Sequence, residues 1–493
     1  MKKLLLAFIL LCSIVIISFT QFNSGNGYTK VKPTVAPAIW FEGPTTAAPS
    51  DVVPFNKPNV NDTSFHLWAW QQFLHLTRSK FPRAPFEGLL LQVDTAGKMI
   101  ASPNTFLVLT DTLQAVSHLP LYDTNHIALL YAIQTNSAMY HFMQSYLPIF
   151  KRIITNCWKH KWNPTSGKSD SMDIDKHIQD SLHLQKLDNL NFPVGALVTK
   201  TSWIRVCELG KDSVNYYVTS ANVLNGKGKL VVERVALTGM HVVGRLDNHP
   251  EFIWATFEHD NLAPQYTWKN TWPQDTATLI VSNKNYLFYH KNTPIGKCLN
   301  ENECTANKFT NAFNMFPLGE ALSFVFTKNT SDTTFPSNTP SHLPTYLDVI
   351  DSENSASINA SVHAHLLRVA GPWSHYFYKG SVWINSPNKM YYPGNGNIYV
   401  LTDTYLRGAR ALSNITMETY TQIDFSGIYN TGSMSCFGCH STADFNNVAH
   451  SNDSLSYNLT ISHLFRNSLT NLIDSLREGK KRQIDPRLPL RLR

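Results

Sequence analysis

The chain has seven cysteines in 493 residues, a charged fraction of only 16%, and no internal period of any length. It has no Gly-rich phosphate loop, no dinucleotide glycine pattern and no Ser-His-Asp order, so nothing in it points to nucleotide binding or to serine-type hydrolysis. Its longest apolar run, Leu4 to Phe19, is broken only by Ser13 and Ser18 and falls short of the ~20 residues needed to span a bilayer. The formal net charge of +7 sits at the two ends. Residues 477–493 hold seven basic and two acidic side chains, a net +5, and Lys2 and Lys3 supply the remaining +2. The body between them is near neutral, which excludes a nucleic-acid-binding face. What the chain does have is apolar mass: 43% hydrophobic residues, with 27 Phe, 20 Tyr and 11 Trp. That composition describes a well-cored globular protein rather than a disordered one.

Lys2 and Lys3 followed by the apolar run form a secretory leader over residues 1–20, and an uncleaved anchor is the alternative because Thr20-Gln21-Phe22 is a poor cleavage site. Leu11 before Cys12 rules out a lipoprotein processing site. Residues 21–61, rich in Pro, Ala, Thr and Asn, read as an extended tether. A body over 62–402, a segment over 403–476 and a basic tail over 477–493 follow. Phe65 to Leu76 predicts an aromatic helix capped by Asp62 or Thr63, and Thr124 to Ile154 predicts a second helix. Lys168 to Leu190 reads as a polar insertion with a short helix. Gly195–Val206, Val214–Val223, Lys229–Leu246 and Glu251–Glu258 read as an antiparallel meander, turned at Asn225–Gly228 and Asp247–Pro250. A helix over Tyr346–Val369 and strands near Gly380–Asn385 and Asn397–Thr402 complete the pattern. The expected fold is α+β: an antiparallel sheet body, aromatic-rich helices and a C-terminal cofactor-attachment segment.

That last expectation rests on Ser435-Cys436-Phe437-Gly438-Cys439-His440, a C-x-x-C-H motif. Two thiols at this spacing can add across the two vinyl groups of one haem, and the adjacent imidazole then meets the iron. Cys436 and Cys439 are therefore the candidate anchors of a single covalent haem c, with His440 its axial ligand. With so few cysteines, chance explains the motif poorly, and zinc would need a second ligand pair that the sequence does not offer. Covalent attachment outside the cytoplasm agrees with the leader and predicts a periplasmic or otherwise exported protein. Cys298 and Cys304 share one polar loop and could form a local disulfide; Cys157 and Cys207 either pair or remain thiols.

Trp70-Gln71-Gln72-Phe73, the segment Gly195 to Trp203, Leu237 to His241, Phe252 to His259, Asn414 to Thr419 and the closing C-x-x-C-H occur in one order. The series is similar to a family of bacterial exported proteins described as cytochrome c family proteins, over residues 62–445. The resemblance implies a secreted haem-binding protein and no particular reaction. Members of that family carry Met or another residue where Phe437 stands, a position that makes no bond to haem.

The chain differs from compact cytochrome c domains, because none of the 53 residues after His440 is Met. A sixth iron ligand would come from upstream Met417, from His450 or His463 downstream, or be absent. Met417 lies 23 residues before His440, ample chain to reach the far face, and is the preferred candidate; its competing reading is a Met packed in the core. His241 and the Glu258-His259 pair end apolar strands, and either His could serve as a distal base if the protein is an enzyme. The same residues also read as buried, hydrogen-bonded histidines. His363, His365 and His375 form a weaker metal-site candidate. The leading expectation is one-electron transfer, with a peroxidase- or oxygenase-like enzyme as the alternative and a structural or sensor haem as a third reading. The electron partner is not legible, and membrane contact is open only through the N-terminal segment or the basic tail.

Overall fold

Two β-branched runs joined by Asp247-Asn248 form the centre of the molecule. In the computed structural model they are β7 (Leu230–Leu246) and β8 (His249–His259), a long antiparallel hairpin in which His241 faces Thr256 and Val243 faces Trp254. Asn248 makes the turn at φ 58, a left-handed conformation that Asn tolerates better than most side chains. The structure describes residues 33–57, 60–79, 83–102, 105–110, 121–125, 127–159, 162–163, 168–169, 172–183, 190–225, 227–267, 278, 280, 282–294, 323–325, 346–369, 371–384, 406–409, 412, 414–417, 436–440 and 458–484. The leader, the tether up to residue 32, the Cys298–Cys304 loop, the strand expected over 397–402, His450 and the tail beyond 484 lie outside the described residues.

Around the hairpin the described residues build a ten-stranded sheet. Its other strands are β1 (Leu91–Val93), β2 (Met99–Ala101), β3 (Leu107–Leu109), β4 (Leu130–Thr135), β5 (Leu197–Arg205), β6 (Val218–Leu224), β9 (Tyr376–Ile384) and β10 (Leu406–Gly408). The order is β10-β9-β8-β7-β5-β4-β1-β2, with β6 on the outer half of β7 and β3 pairing β6. All of these pairings are antiparallel except β3 with β6. The fold is α+β, as the alternating strand signals predict.

Both faces of the central strands are covered, which is why β7 is continuously buried from Val235 to Leu246 apart from half-buried His241. On one face lie α1 (Asp62–Thr77) and α4 (Tyr346–Leu366), packed against each other. Phe73 stacks on Phe257 at 4.1 Å, and the Trp70 indole N–H donates to Asn359 Oδ1 at 3.0 Å. On the other face lie α2 (Ser137–Lys159) and α6 (His463–Ile484), with Phe150 edge-on to Phe465 at 5.2 Å. Burying one such aromatic side chain contributes about 2–3 kcal/mol. The short helix of the polar insertion is α3 (Ile174–Leu182). No helix among the described residues is long and apolar enough to cross a membrane.

Several local expectations are corrected. The described part of the tether is not extended away from the body, since Ala36, Trp40 and Phe55 are buried in the same cluster as α1. Helix α1 is capped by Asn61, whose side chain accepts from the Thr63 N–H, rather than by Asp62 or Thr63. The region 124–154 is a strand followed by a helix: β4 pairs with β1 and β5, and α2 starts only at Ser137. Asn136 sets that boundary, because its Oδ1 accepts from Met139 N and Leu197 N while its Nδ2 donates to Gly195 O. The segment before β6 is not strand from Val214 but a 3-10 turn over Gly210–Asn215.

Candidate functional site

The C-x-x-C-H motif folds as a single helical turn, α5 (Cys436–Cys439), closed by the His440 N–H donating to Cys436 O at 2.8 Å. Positions i, i+3 and i+4 share one side of such a turn, so residues 436, 439 and 440 are set on a common side. Cys436 is a half-buried thiol in no disulfide. The side chain of Cys439 lies outside the described residues. Phe437 is the anchor of the turn: it is 2% exposed, joins the core beneath α2 and α6, and meets Trp254 of β8 edge-on at 6.3 Å. A position that bonds no cofactor thus docks the motif on the sheet.

The His440 imidazole lies between two rings, Trp254 at 4.0 Å and His463, the first residue of α6, at 3.8 Å. Its Nδ1 is 2.9 Å from Ile461 O. A carbonyl only accepts, so Nδ1 carries the proton and Nε2 keeps its lone pair. Leu459 and Ile461, both buried to within 1%, fix the 3-10 turn Asn458–Ile461 that presents this carbonyl. Burial first, and then the neighbouring His463, push His440 well below the usual 6.5, so the ring is neutral. His241 is half-buried on β7, in register with Lys200 and Thr256, and lies within electrostatic reach of His440. The structure therefore brings His440, His463, His241 and Trp254 together on one face of the sheet.

One further feature fits a haem. The wall around the motif is apolar, formed by Phe437, Val243, Leu459 and Leu464 with Trp254 beside them. Arg245, farther along β7, is 8% exposed, but its charge is already countered by Glu251 and Asp247. The donor set and the proton placement on His440 agree with the cofactor the motif implies.

Other candidates are placed elsewhere. Met417 is fully buried in a third cluster with Tyr131, Ile204 and Phe288, which contains none of the residues that contact the His440 ring. It follows a turn bolted to the sheet by a buried polar network. Asn414 Nδ2 donates to Thr256 Oγ1 at 2.8 Å and to Phe257 O at 3.0 Å, and its Oδ1 accepts from Thr416 N and Oγ1. Thr416 Oγ1 lies 2.6 Å from Ser202 Oγ, and Glu258 accepts from the Ile415 N–H at 2.6 Å. The segments around Ser202, Gly239, Glu258 and Asn414, scattered in sequence, meet here. Met417 is thus held as a core residue, not beside His440.

Glu258 and His259 do not act as a pair, since successive strand residues diverge. Glu258 salt-bridges Lys379 at 3.1 Å, while the His259 Nε2–H donates to Asn215 O at 3.0 Å and its ring stacks on Tyr216. The His363 Nε2–H donates to Tyr376 O at 2.8 Å and His365 stacks on Phe41; both lie on helix α4, which splays them apart, so the weaker His363–His365–His375 candidate does not form. Cys157 and Cys207 are separate thiols, one buried in the core and one exposed. Sequence reading missed Trp254 and the role of Phe437, because their importance lies in contacts across the chain. No family model, curated protein or solved structure matches the chain.

Proposed function

We propose that the chain is an exported c-type haem protein that transfers single electrons, with one haem held by Cys436, Cys439 and His440. The observation that carries this reading is the C-x-x-C-H helical turn whose His440 commits its Nδ1 proton to Ile461 O and so leaves Nε2 for a metal. When bound, the haem supplies a one-electron couple whose potential follows its axial ligands and surroundings. The chain's own groups do the rest. Phe437 and Trp254 hold the turn against the sheet, and the Ile461 carbonyl fixes the imidazole's proton and orientation. His463 stacks on the His440 ring at 3.8 Å, which makes it a neighbour that orients the imidazole rather than a group standing opposite it. The Lys2–Lys3 and Leu4–Phe19 leader signal supports export, to the periplasm or its equivalent.

A second reading, a peroxidase-like enzyme, is favoured by His241 alone, a half-buried histidine within reach of the same site. His259 drops out of it, being engaged with Asn215 and Tyr216. The test is to express the full chain in a host competent for haem attachment, denature it and extract with acid-acetone. Retained haem with a c-type pyridine haemochrome, lost in Cys436→Ser and Cys439→Ser, is the expected result; freely extracted haem would refute the assignment. Rapid peroxide turnover with a reducing dye, abolished by His241→Ala, would shift the conclusion from carrier to enzyme.

A further inference from the structure

The far end of the β8–β9 pair carries a second constellation that the haem reading does not use. His259 ends β8, Asp260 follows it, and His375 closes the 3-10 turn Pro372–His375 that leads into β9. One ligand atom from each residue lies within 4.8 Å of the other two. His259 Nδ1 is 3.4 Å from Asp260 Oδ1, and His375 Nδ1 is 3.1 Å from Asp260 Oδ2. Three ligands at about 2.0–2.1 Å around a tetrahedral zinc ion stand about 3.3 Å apart, which the His259 Nδ1–Asp260 Oδ1 pair already matches; His375 sits on the other carboxylate oxygen and has to swing toward the first.

We propose that His259, Asp260 and His375 form a binding site for a divalent transition-metal ion of the zinc class, independent of the haem.

Three features make this more than a surface ion pair. His259 is oriented as a ligand: its Nε2–H is committed to Asn215 O at 3.0 Å and its ring is clamped on Tyr216, which directs the Nδ1 lone pair toward Asp260. That lone pair now accepts from the Asn261 N–H at 3.1 Å, a contact an incoming ion would take over. The backbone beneath is fixed, with the Asp260 N–H donating to His375 O at 2.8 Å, so both loops are already joined before any ion arrives. Burial, the largest influence, holds His259 near 3, and the ring is neutral at any physiological pH. Of the remaining two ligands Asp260 is exposed and His375 half-buried, at 48% and 34%, and the His375 ring stacks alongside that of His259 at 5.6 Å. Lys284 adds positive charge nearby, its ammonium lying over the Tyr286 ring, and the Asp260 carboxylate offsets it. Two imidazoles and one carboxylate are a borderline donor set that suits Zn2+ better than Ca2+ or Mg2+, and three protein ligands leave a fourth position for water.

The experiment is calorimetric titration of haem-loaded, chelator-washed full-length protein with ZnCl2, alongside Asp260→Asn, His375→Ala and Cys207→Ser. The proposal expects a site of one equivalent in the wild type and in Cys207→Ser, which removes the exposed thiol. In the other two variants that site weakens at least about tenfold to a hundredfold. Asp260 is exposed and His375 half-buried, and an unchanged unfolding midpoint without zinc confirms that the variants fold. Zinc bound equally by the variants, or not bound by the wild type, overturns the assignment. A midpoint raised by zinc in the wild type and not in Asp260→Asn is the second supporting readout. Because the haem spectrum is untouched by these residues, failure here would leave the haem assignment standing.

Discussion

Gly239→Ala tests the polar network that fixes the turn before Met417. Replacing a strand glycine with alanine ordinarily gains about 0.5–1 kcal/mol, through lower entropy of the unfolded chain. At Gly239 the new Cβ would stand 2.5 Å from Thr416 Oγ1 and 3.0 and 3.1 Å from the Asn414 amide atoms. Reaching an ordinary 3.4 Å requires Thr416 to move about 0.9 Å, away from Ser202 Oγ and Asn414 Oδ1, each now at 2.6 Å. Overpacking of this kind costs about 1–3 kcal/mol, and each weakened buried hydrogen bond adds about 1 kcal/mol. The expected net loss is about 2–4 kcal/mol, read from urea unfolding followed by circular dichroism at constant m-value. Thr416→Ala alone should cost about 1–2 kcal/mol, because Asn414 Oδ1 keeps the Thr416 N–H and Ser202 keeps Thr238. The double variant should be more stable than the sum of the two by at least about 1 kcal/mol, since the worst overlap has gone. Gly239→Ala that is neutral, or strict additivity of the pair, would refute the argument.

Met417→Ala should destabilise the protein by about 2–4 kcal/mol through the cavity it leaves, while the oxidised haem spectrum stays unchanged. A changed spectrum in Met417→Ala would restore Met417 as the sixth ligand. Burial lowers His363 below 6.5, so the native ring stays neutral where the unfolded ring takes up a proton. Its contribution to stability is therefore full above about pH 6.5 and lost as pH falls from there toward the depressed native value, by up to about 1.4 kcal/mol per unit. Unfolding free energies at pH 7 and pH 5.5 should diverge less in His363→Gln than in the wild type, and equal divergence would exclude His363 as a source.

The β7–β8 hairpin and α1 were legible because each has a clear period and local punctuation: Asn248 between two β-branched runs, and an aromatic stretch too long for a strand. Residues 124–154 were not, because Leu129 to Ala132 is a short apolar run that fits either element. The deciding partner there is β5, more than 60 residues away, which Asn136 joins through Leu197 and Gly195. The C-x-x-C-H motif announces its chemistry within six residues. The ring that lies against its histidine does not, since His463 and Trp254 reach His440 only through the docking of α6 and β8. The preference for Met417 rests on its place in the Asn414–Thr419 segment, whose described residues 414–417 form a buried knot with Ser202, Gly239 and Glu258 that no reading of spacing could reveal.

Within the ten-stranded sheet the described strands β2, β3 and β10 are the ones with a single partner, and each is three residues long. The long strands β5, β7, β8 and β9 have partners on both sides for part of their length: residues 230–234 of β7 pair with β6 alone, and β9 meets β10 only at 382–384. Short border strands limit the unpaired N–H and C=O groups, the template on which edge-to-edge aggregation grows. The apolar exceptions are Met99 and Ile100 of β2, both 43% exposed, and Leu230 and Val232 of β7, 52% and 59% exposed. For a protein rich in β-branched and aromatic sequence, the brevity of its borders is a solubility device: self-association by strand addition should be slow while the native state persists, and should start from β7 or β8 once unfolding exposes them.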